Sequence, residues 1–196
     1  EIFSAEELQK FFVFFHVGKA NAVFNVDKLN WISGHYFREA KPDFLFDYLQ
    51  KYFSKEIAFM ASVDKQRTLN GIAIIQGKVK LIPELIDQLK VLFGDEPNYK
   101  EAATKPEDLA KFKKYLDLLL PLLQSSGFAK EELEPKVKDM ATAAGEKLSP
   151  YAQAMRFAVT GGKISPGLFE MLEVQGKEAV LRRVNAALQF LSSHHG

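Results

Sequence analysis

The sequence predicts an all-α protein, and three observations carry this prediction. Apolar residues recur at a spacing of about 3.6 along most of the 196 residues. Ser, Asn, Asp, Pro and Gly stand where helices should begin or end. The one short apolar run with an ambiguous pattern, residues 72–75, has no neighbouring segment that reads as a pairing strand. We therefore expect eight to ten helices in successive bundles.

Local signals place the helices of the first half. Ser4 and Glu7 have the spacing of a capping box, and Gly18 is the expected end of this first helix. Asn25 or Asp27 should cap the second helix, which has an apolar stripe at roughly helical spacing: Leu29, Ile32 and Tyr36, beside Trp31. Pro42 and Pro83 each stand where a proline suits a first helical turn.

The second half shows the same features. A helix over residues 106–123 should turn Leu109, Phe112, Leu116 and Leu119 inward and kink or end at Pro121. A polar helix then ends at Gly145, a predicted C-terminal cap. The last three helices are expected over 149–160, 165–175 and 177–192. The final one has an apolar side, with Arg182 and Arg183 assigned to its polar side.

Composition excludes several classes of function. Hydrophobic residues make up 47%, so the chain is globular. The formal net charge of +1 lacks the basic excess usual in nucleic-acid-binding domains, so any such role would have to come from local clusters of basic residues. There are no cysteines, and no apolar run is long enough to cross a membrane. We expect a cytoplasmic protein that contacts neither membrane nor DNA. Since the chain starts with Glu1 instead of Met, we interpret it as a fragment or a processed form.

The sequence contains no recognisable catalytic or metal-binding motif. None of the four histidines has a second ligand at metal-binding spacing. Paired acidic residues fall at helix starts or in turns, where they stabilise the helix dipole. The stretch 160–163, Thr-Gly-Gly-Lys, lacks the first glycine and the final Ser or Thr of a phosphate-binding loop. We predict no catalytic residue, no metal and no bound cofactor in this chain.

Residues 149–176 form the most informative stretch of the chain. Two Ser-Pro helix starts flank a Gly-Gly turn that carries Lys163, and Arg156 lies one helical turn earlier. Free backbone N–H groups at the Ser165–Pro166 helix start, close to two cations, could bind an anion or RNA. A plain helix–loop–helix corner is the alternative, and the spacing alone leaves both interpretations open.

Two longer segments resemble bacterial glutamyl-tRNA synthetases. Residues 23–39, VFNVDKLNWISGHYFRE, are similar to that family's F-D-x-x-K-L-x-W-x-N-x-x-Y-[IL]-R segment, with Ser33 in place of the usual asparagine. Residues 155–188 resemble its C-terminal signature, L-R-x-A-L-T-G followed by P-x-L-F-E and by a G-x-[ED]-x-x-[LI]-x-R-[LI] block. Residues 78–93, KVKLIPELIDQLKVLF, match the family's anticodon-binding helices more loosely.

The resemblance implies a fold and a set of binding residues. The fold would be a helical cage of two successive anticodon-binding subdomains, at 43–103 and 104–196, preceded by the end of a tRNA stem-contact region at 1–42. The implied anticodon-binding residues are Arg156, Ser165, Pro166, Leu168, Lys78 and Lys163. Lys78 replaces an arginine that reads an anticodon base in some members, and lysine lacks the planar fork of arginine. Discrimination between glutamate and glutamine anticodons is therefore left open.

The implied function is anticodon recognition by the C-terminal half of a class I glutamate–tRNA ligase. Its partner would be a glutamate-accepting tRNA, and it would act as a monomer. ATP and Mg²⁺ would be bound by a catalytic domain that is not in this chain. The alternative, from a different class, is a helical protein–protein adaptor that keeps the fold without reading tRNA. A third possibility, a stand-alone helical enzyme domain, conflicts with the missing catalytic motifs.

Overall fold

A computed structural model describes residues 2–13, 23–101, 106–162 and 167–193. Regular structure in these ranges consists of helices, with no strand, which confirms the predicted all-α class. Two single 3₁₀ turns, Ala58–Met60 and Tyr99–Glu101, lie between α-helices. The α-helices are α1 Ala5–Phe11, α2 Val26–Glu39, α3 Pro42–Tyr52, α4 Lys65–Gln76, α5 Ile82–Phe93, α6 Pro106–Ser125, α7 Lys130–Ala143, α8 Leu148–Thr160 and α9 Leu168–Ser193.

The predicted caps are present in the structure. Ser4 and Glu7 form the capping box, with backbone-to-side-chain distances of 2.8 and 3.1 Å. Asn25, rather than Asp27, caps α2 by accepting a hydrogen bond from a backbone N–H of its first turn. Pro42 and Pro83 lie in the first turns of α3 and α5. These ends form as predicted because each depends on residues within three or four positions of one another.

One hydrophobic core extends from α2 to α9. In its larger part α6, α8 and α9 pack against one another with α7 on the outside, and α4 and α5 pack against α9 from the other side. α3 covers α4. Among the core side chains, some are completely shielded from solvent: Leu49, Ile72, Leu85, Leu89, Leu116, Leu119, Leu123, Leu133, Val180 and Val184. The ambiguous run 72–75 is helical, inside α4, as predicted.

A glycine divides α9 into two segments. Gly176 has φ 73° and ψ 159°, a conformation that interrupts the helix and that only glycine adopts without strain. The guanidinium of Arg67, on α4, donates from Nε to the Val174 carbonyl at 2.5 Å and so caps the first segment. The predicted division between residues 175 and 177 is therefore confirmed, whereas the predicted start of this helix at Ser165 lies outside the described residues.

The N-terminal region departs from the predictions. α1 ends at Phe11, before the predicted end at Gly18, which lies outside the described residues. The apolar stripe of α2 is mostly not covered: Leu29, Trp31 and Tyr36 are exposed and Ile32 is half-buried, while Gly34 and Phe37 face inward. In the described ranges, no other helix packs extensively on α2, which leaves these large apolar side chains exposed.

The structure also differs from the predictions at Pro121 and at Arg183. α6 continues through Pro121 to Ser125, because a proline this near the C-terminal end removes one N–H and leaves the final turn intact. Arg183, which the sequence placed on the polar side of the last helix, is only 1% exposed. It occupies the same side as Val180 and Ala187, at a spacing of three and four residues, so it faces the core.

No helix in the described ranges is both long enough and apolar enough to cross a lipid bilayer.

Candidate nucleic-acid interface

The corner after α8 is built around two glycines. α8 ends at Thr160, and the Gly161 N–H donates to the Phe157 carbonyl at 2.8 Å. Gly161 and Gly162 both have positive φ, 65° and 81°, a backbone conformation that favours glycine and that ends the helix in a turn. A Cβ at Gly161 would stand 3.0 Å from Cβ of Pro97, in the loop after α5. The predicted Gly-Gly turn is therefore a real turn that touches a second loop.

Arg156 lies one helical turn before this corner. Its side chain is half-buried, and its carbonyl accepts a hydrogen bond from the Thr160 hydroxyl at 2.7 Å. This contact ties the backbone of Arg156 to the last residue of α8. The helix thus holds Arg156 close to the Gly-Gly turn, as the spacing predicts. Its contact with RNA stays a prediction.

The loop that carries three other predicted site residues lies outside the described residues. These are Lys163, Ser165 and Pro166. α9 begins directly after this loop at Leu168, whose side chain is 6% exposed and packs in the core. Its predicted contact with anticodon bases stays a prediction; in this structure the side chain anchors the start of α9.

A cluster of charges surrounds the start of α9. Glu170, in the first turn, receives a hydrogen bond from Lys130 Nζ to Oε1 at 2.6 Å. This bond lowers the pKa of the Glu170 carboxyl below its ordinary value, and the charge of Lys78 acts in the same direction. Lys78 is exposed and follows the end of α4. Lys130 thus contacts Glu170 directly, whereas the predicted residue Lys78 acts on this carboxylate only through its charge.

An open cleft of about 900 Å³ runs between α5 and the end of α8. Its walls include Lys90 from α5, the loop 94–98, and Thr160 and Gly162 from the Gly-Gly corner. Asn98 and the carboxylates of Asp95 and Glu96 give this cleft hydrogen-bonding groups of both kinds. Such groups can read the edges of unpaired bases, and a single-stranded loop presents those edges.

Sequence reasoning missed two features of this region. Lys130 was assigned only to a polar helix, because nothing in the sequence indicates that α7 begins beside α9. The burial of Arg183 could have been found, since its position fits the apolar stripe of α9. Among the described residues, no group of three His, Asp or Glu side chains could hold a metal ion.

Comparison with known proteins identifies one matching family model and similar curated proteins. A family model described as an anticodon binding domain matches residues 43–188. Glutamate–tRNA ligase of Syntrophobacter fumaroxidans (strain DSM 10017 / MPOB) is 36% identical over 197 residues, covering 100% of this chain and 42% of that protein. The glutamate–tRNA ligase of Methylacidiphilum infernorum (isolate V4) is 34% identical over 185 residues, 94% of this chain and 42% of that protein.

A solved structure shares the fold. It is the glutamate tRNA ligase from Elizabethkingia meningosepticum CCUG26117 in complex with its amino acid, with a TM-score of 0.74 and 20% identity. The match covers 95% of this chain and 36% of that structure. The chain thus spans about two fifths of the length of the curated relatives it matches. Because the family model matches well over half of its residues, the chain belongs to the anticodon-binding domain family.

Proposed function

We propose that this chain recognises the anticodon of a glutamate-accepting tRNA as part of a glutamate–tRNA ligase. The observation that carries the proposal is the match of the anticodon binding domain model to residues 43–188. Relatives named glutamate–tRNA ligase, aligned over nearly the whole chain, support the choice of tRNA. A catalytic part outside this chain would use ATP and Mg²⁺ to ligate glutamate.

The geometry suits the binding of a single-stranded loop. The Gly-Gly corner contributes Gly162 to the open cleft, Arg156 lies one helical turn before that corner, and Lys78 and Lys130 add positive charge around Glu170 at the start of α9. RNA loops are recognised by hydrogen bonds to splayed bases and by contacts with their phosphates. Because the net charge is only +1, RNA binding would depend on local contacts rather than on a broad basic surface.

The test measures binding of an RNA hairpin that contains only the anticodon arm. We expect Arg156→Ala to weaken binding by about 1–3 kcal/mol, the usual effect of removing one base contact. Arg38→Ala provides the matched control, because Arg38 is an exposed arginine on α2, within the predicted stem-contact region that this hairpin does not reach. Equal binding by Arg156→Ala and the wild type would refute the assigned role of Arg156.

The specificity, the oligomeric state and the location of the protein belong to the same proposal. Comparing hairpins with the glutamate and the glutamine anticodon measures the discrimination that lysine at position 78 leaves open. Absence of binding to both hairpins at low salt would overturn RNA recognition and favour the protein–protein adaptor. We propose a cytoplasmic monomer, the place and form that suit a single-chain ligase, and light scattering of the purified chain tests the monomeric state.

A further inference from the structure

A buried arginine connects two helix ends through backbone carbonyls, and no carboxylate of the described residues forms an ion pair with it. Arg183, on α9, donates from Nη1 to the carbonyls of Val91 at 2.7 Å and Val159 at 2.8 Å. Its Nη2 donates to the carbonyls of Gly94 at 2.7 Å and Asp95 at 3.3 Å. Three of these acceptors belong to the end of α5 and the loop after it, and one belongs to the last turn of α8.

The position of these acceptors explains how a cation can be buried here. The last carbonyls of a helix have no partner within the helix, and they carry the negative end of the helix dipole. Two such ends meet at Arg183. Its guanidinium supplies donors to both and gains the charge stabilisation that a carboxylate would otherwise provide. The side chain therefore caps α5 and α8 at the same time.

A tyrosine reinforces the same connection. Tyr99 is 7% exposed, and its hydroxyl lies 2.8 Å from the Ala158 carbonyl of α8 and 2.9 Å from the Arg183 carbonyl of α9. Its ring packs on Phe157 and Phe190 at centroid distances of 5.3 and 5.5 Å. The connection between α5 and α6 is thus attached to α8 and α9 at two places.

The two segments joined by Arg183 are also the two walls of the open cleft. The loop 94–98 forms one wall, and Thr160 with Gly162 forms part of the other. Pro97 and Gly161 approach so closely that a Cβ at residue 161 would stand 3.0 Å from Cβ of Pro97. A change in the spacing between the segments would therefore move the Gly-Gly corner that follows Arg156.

We infer that Arg183 is a positioning residue for RNA binding, which fixes the loop 94–98 and the end of α8 at the separation that the anticodon loop requires. The inference rests on the proposed function. Arg183 is buried and touches no ligand; it acts through the carbonyls it holds. Its planar fork is essential, because two nitrogens in one plane each reach two carbonyls, whereas a lysine ammonium presents three donors from one atom.

The neighbouring arginine provides a matched control. Arg182 is exposed and its Nε lies 3.0 Å from Oε1 of Glu96, a surface ion pair of little energetic weight. Arg182→Lys and Arg183→Lys make the same chemical change one residue apart on one helix. Only Arg183→Lys removes a planar guanidinium that donates to buried carbonyls. Any general effect of changing an arginine to lysine on α9 appears in both variants.

The experiment compares these variants of the full chain at a temperature where circular dichroism shows each to be fully folded. We expect Arg183→Lys to weaken binding of the anticodon hairpin about tenfold, a size typical of changes transmitted through packed elements. Amide hydrogen exchange should accelerate in residues 94–98 and 159–162 together, and remain unchanged in α3. Arg182→Lys should bind and exchange like the wild type.

Several outcomes would overturn the inference. A folded Arg183→Lys with wild-type RNA binding, or with unchanged exchange in both segments, contradicts it. If Arg183→Lys does not fold, Tyr99→Phe carries the test, since it loosens the same junction and leaves Arg183 in place; unchanged RNA binding by that variant overturns the inference. If the wild type binds no hairpin, the proposed function fails, and the exchange data alone decide whether Arg183 couples the two segments.

Discussion

Removal of one hydroxyl, in Tyr99→Phe, should measurably destabilise the protein. The ring keeps its contacts with Phe157 and Phe190, so the variant creates no large cavity. The Ala158 carbonyl loses a donor 2.8 Å away in a buried site. Leaving a buried polar group without a partner costs about 1–3 kcal/mol. The free energy of unfolding should fall by that amount.

Thermal denaturation followed by circular dichroism measures this change. For a chain of this length, 1 kcal/mol corresponds to about 2–4 °C, so the melting temperature should fall by roughly 2–12 °C. Tyr52→Phe is the control: Tyr52 is 57% exposed, and the loss of its hydroxyl should change stability by less than about 0.5 kcal/mol. Equal melting temperatures for Tyr99→Phe and Tyr52→Phe would refute the structural role given to the Tyr99 hydroxyl.

Two further predictions concern a helix end and an ion pair. Gly145→Ala should lower the free energy of unfolding by about 1 kcal/mol, because residue 145 has φ 69° at the end of α7. Its control, Gly77→Ala, should be neutral or stabilising by up to about 1 kcal/mol, because Gly77 has φ −69° and open space around it. Urea denaturation measures both variants. Glu170→Gln should destabilise the protein at pH 7 and have a smaller effect at low pH. The lowered pKa of Glu170 means that its contact with Lys130 contributes fully above the ordinary carboxyl pKa and is lost as pH falls through the lowered value. If Glu170→Gln lowered the free energy of unfolding by the same amount at pH 7 and at low pH, this account would be contradicted.

The sequence predicted local features better than contacts between distant elements. The cap at Ser4 and the glycine at 145 were recognised because each interaction closes within a few residues. Gly145 donates to the Thr142 carbonyl at 3.0 Å, and the N–H of Glu146 donates to the Ala141 carbonyl at 2.9 Å, the paired bonds of a Schellman motif. No tertiary contact is needed to specify such an end.

Contacts between distant elements explain the failures. The stripe of α2 had a helical period, but the period does not say whether another element packs on it, and Trp31 is 52% exposed. The side of α9 that carries Arg183 was assigned by charge, whereas its position follows the apolar period. Three of its carbonyl partners lie 88–92 residues earlier, at the end of α5 and in the loop after it. No local pattern contains that pairing.

In the candidate site, too, local features were predicted and contacts between distant elements were not. The Gly-Gly turn and the position of Arg156 before it follow from spacing within one helix. Lys78 was proposed as a site residue only from the family resemblance, and its electrostatic effect on Glu170 at the start of α9 was not predicted, since the two segments are about 90 residues apart in the sequence. The Lys130–Glu170 pair was not predicted, because it depends on how α7 meets α9.

The sequence distance between Arg183 and its partners has a consequence for synthesis of the chain. The loop after α5 leaves the ribosome 88 residues before its cation does. At about 5–20 residues per second, this loop waits roughly 4–18 seconds with its terminal carbonyls uncapped. The junction can close only when α9 has been made, so the shape of the cleft wall formed by the loop 94–98 is decided by residues that are synthesised much later. A premature stop before residue 183 would therefore disturb a loop that was translated long before it.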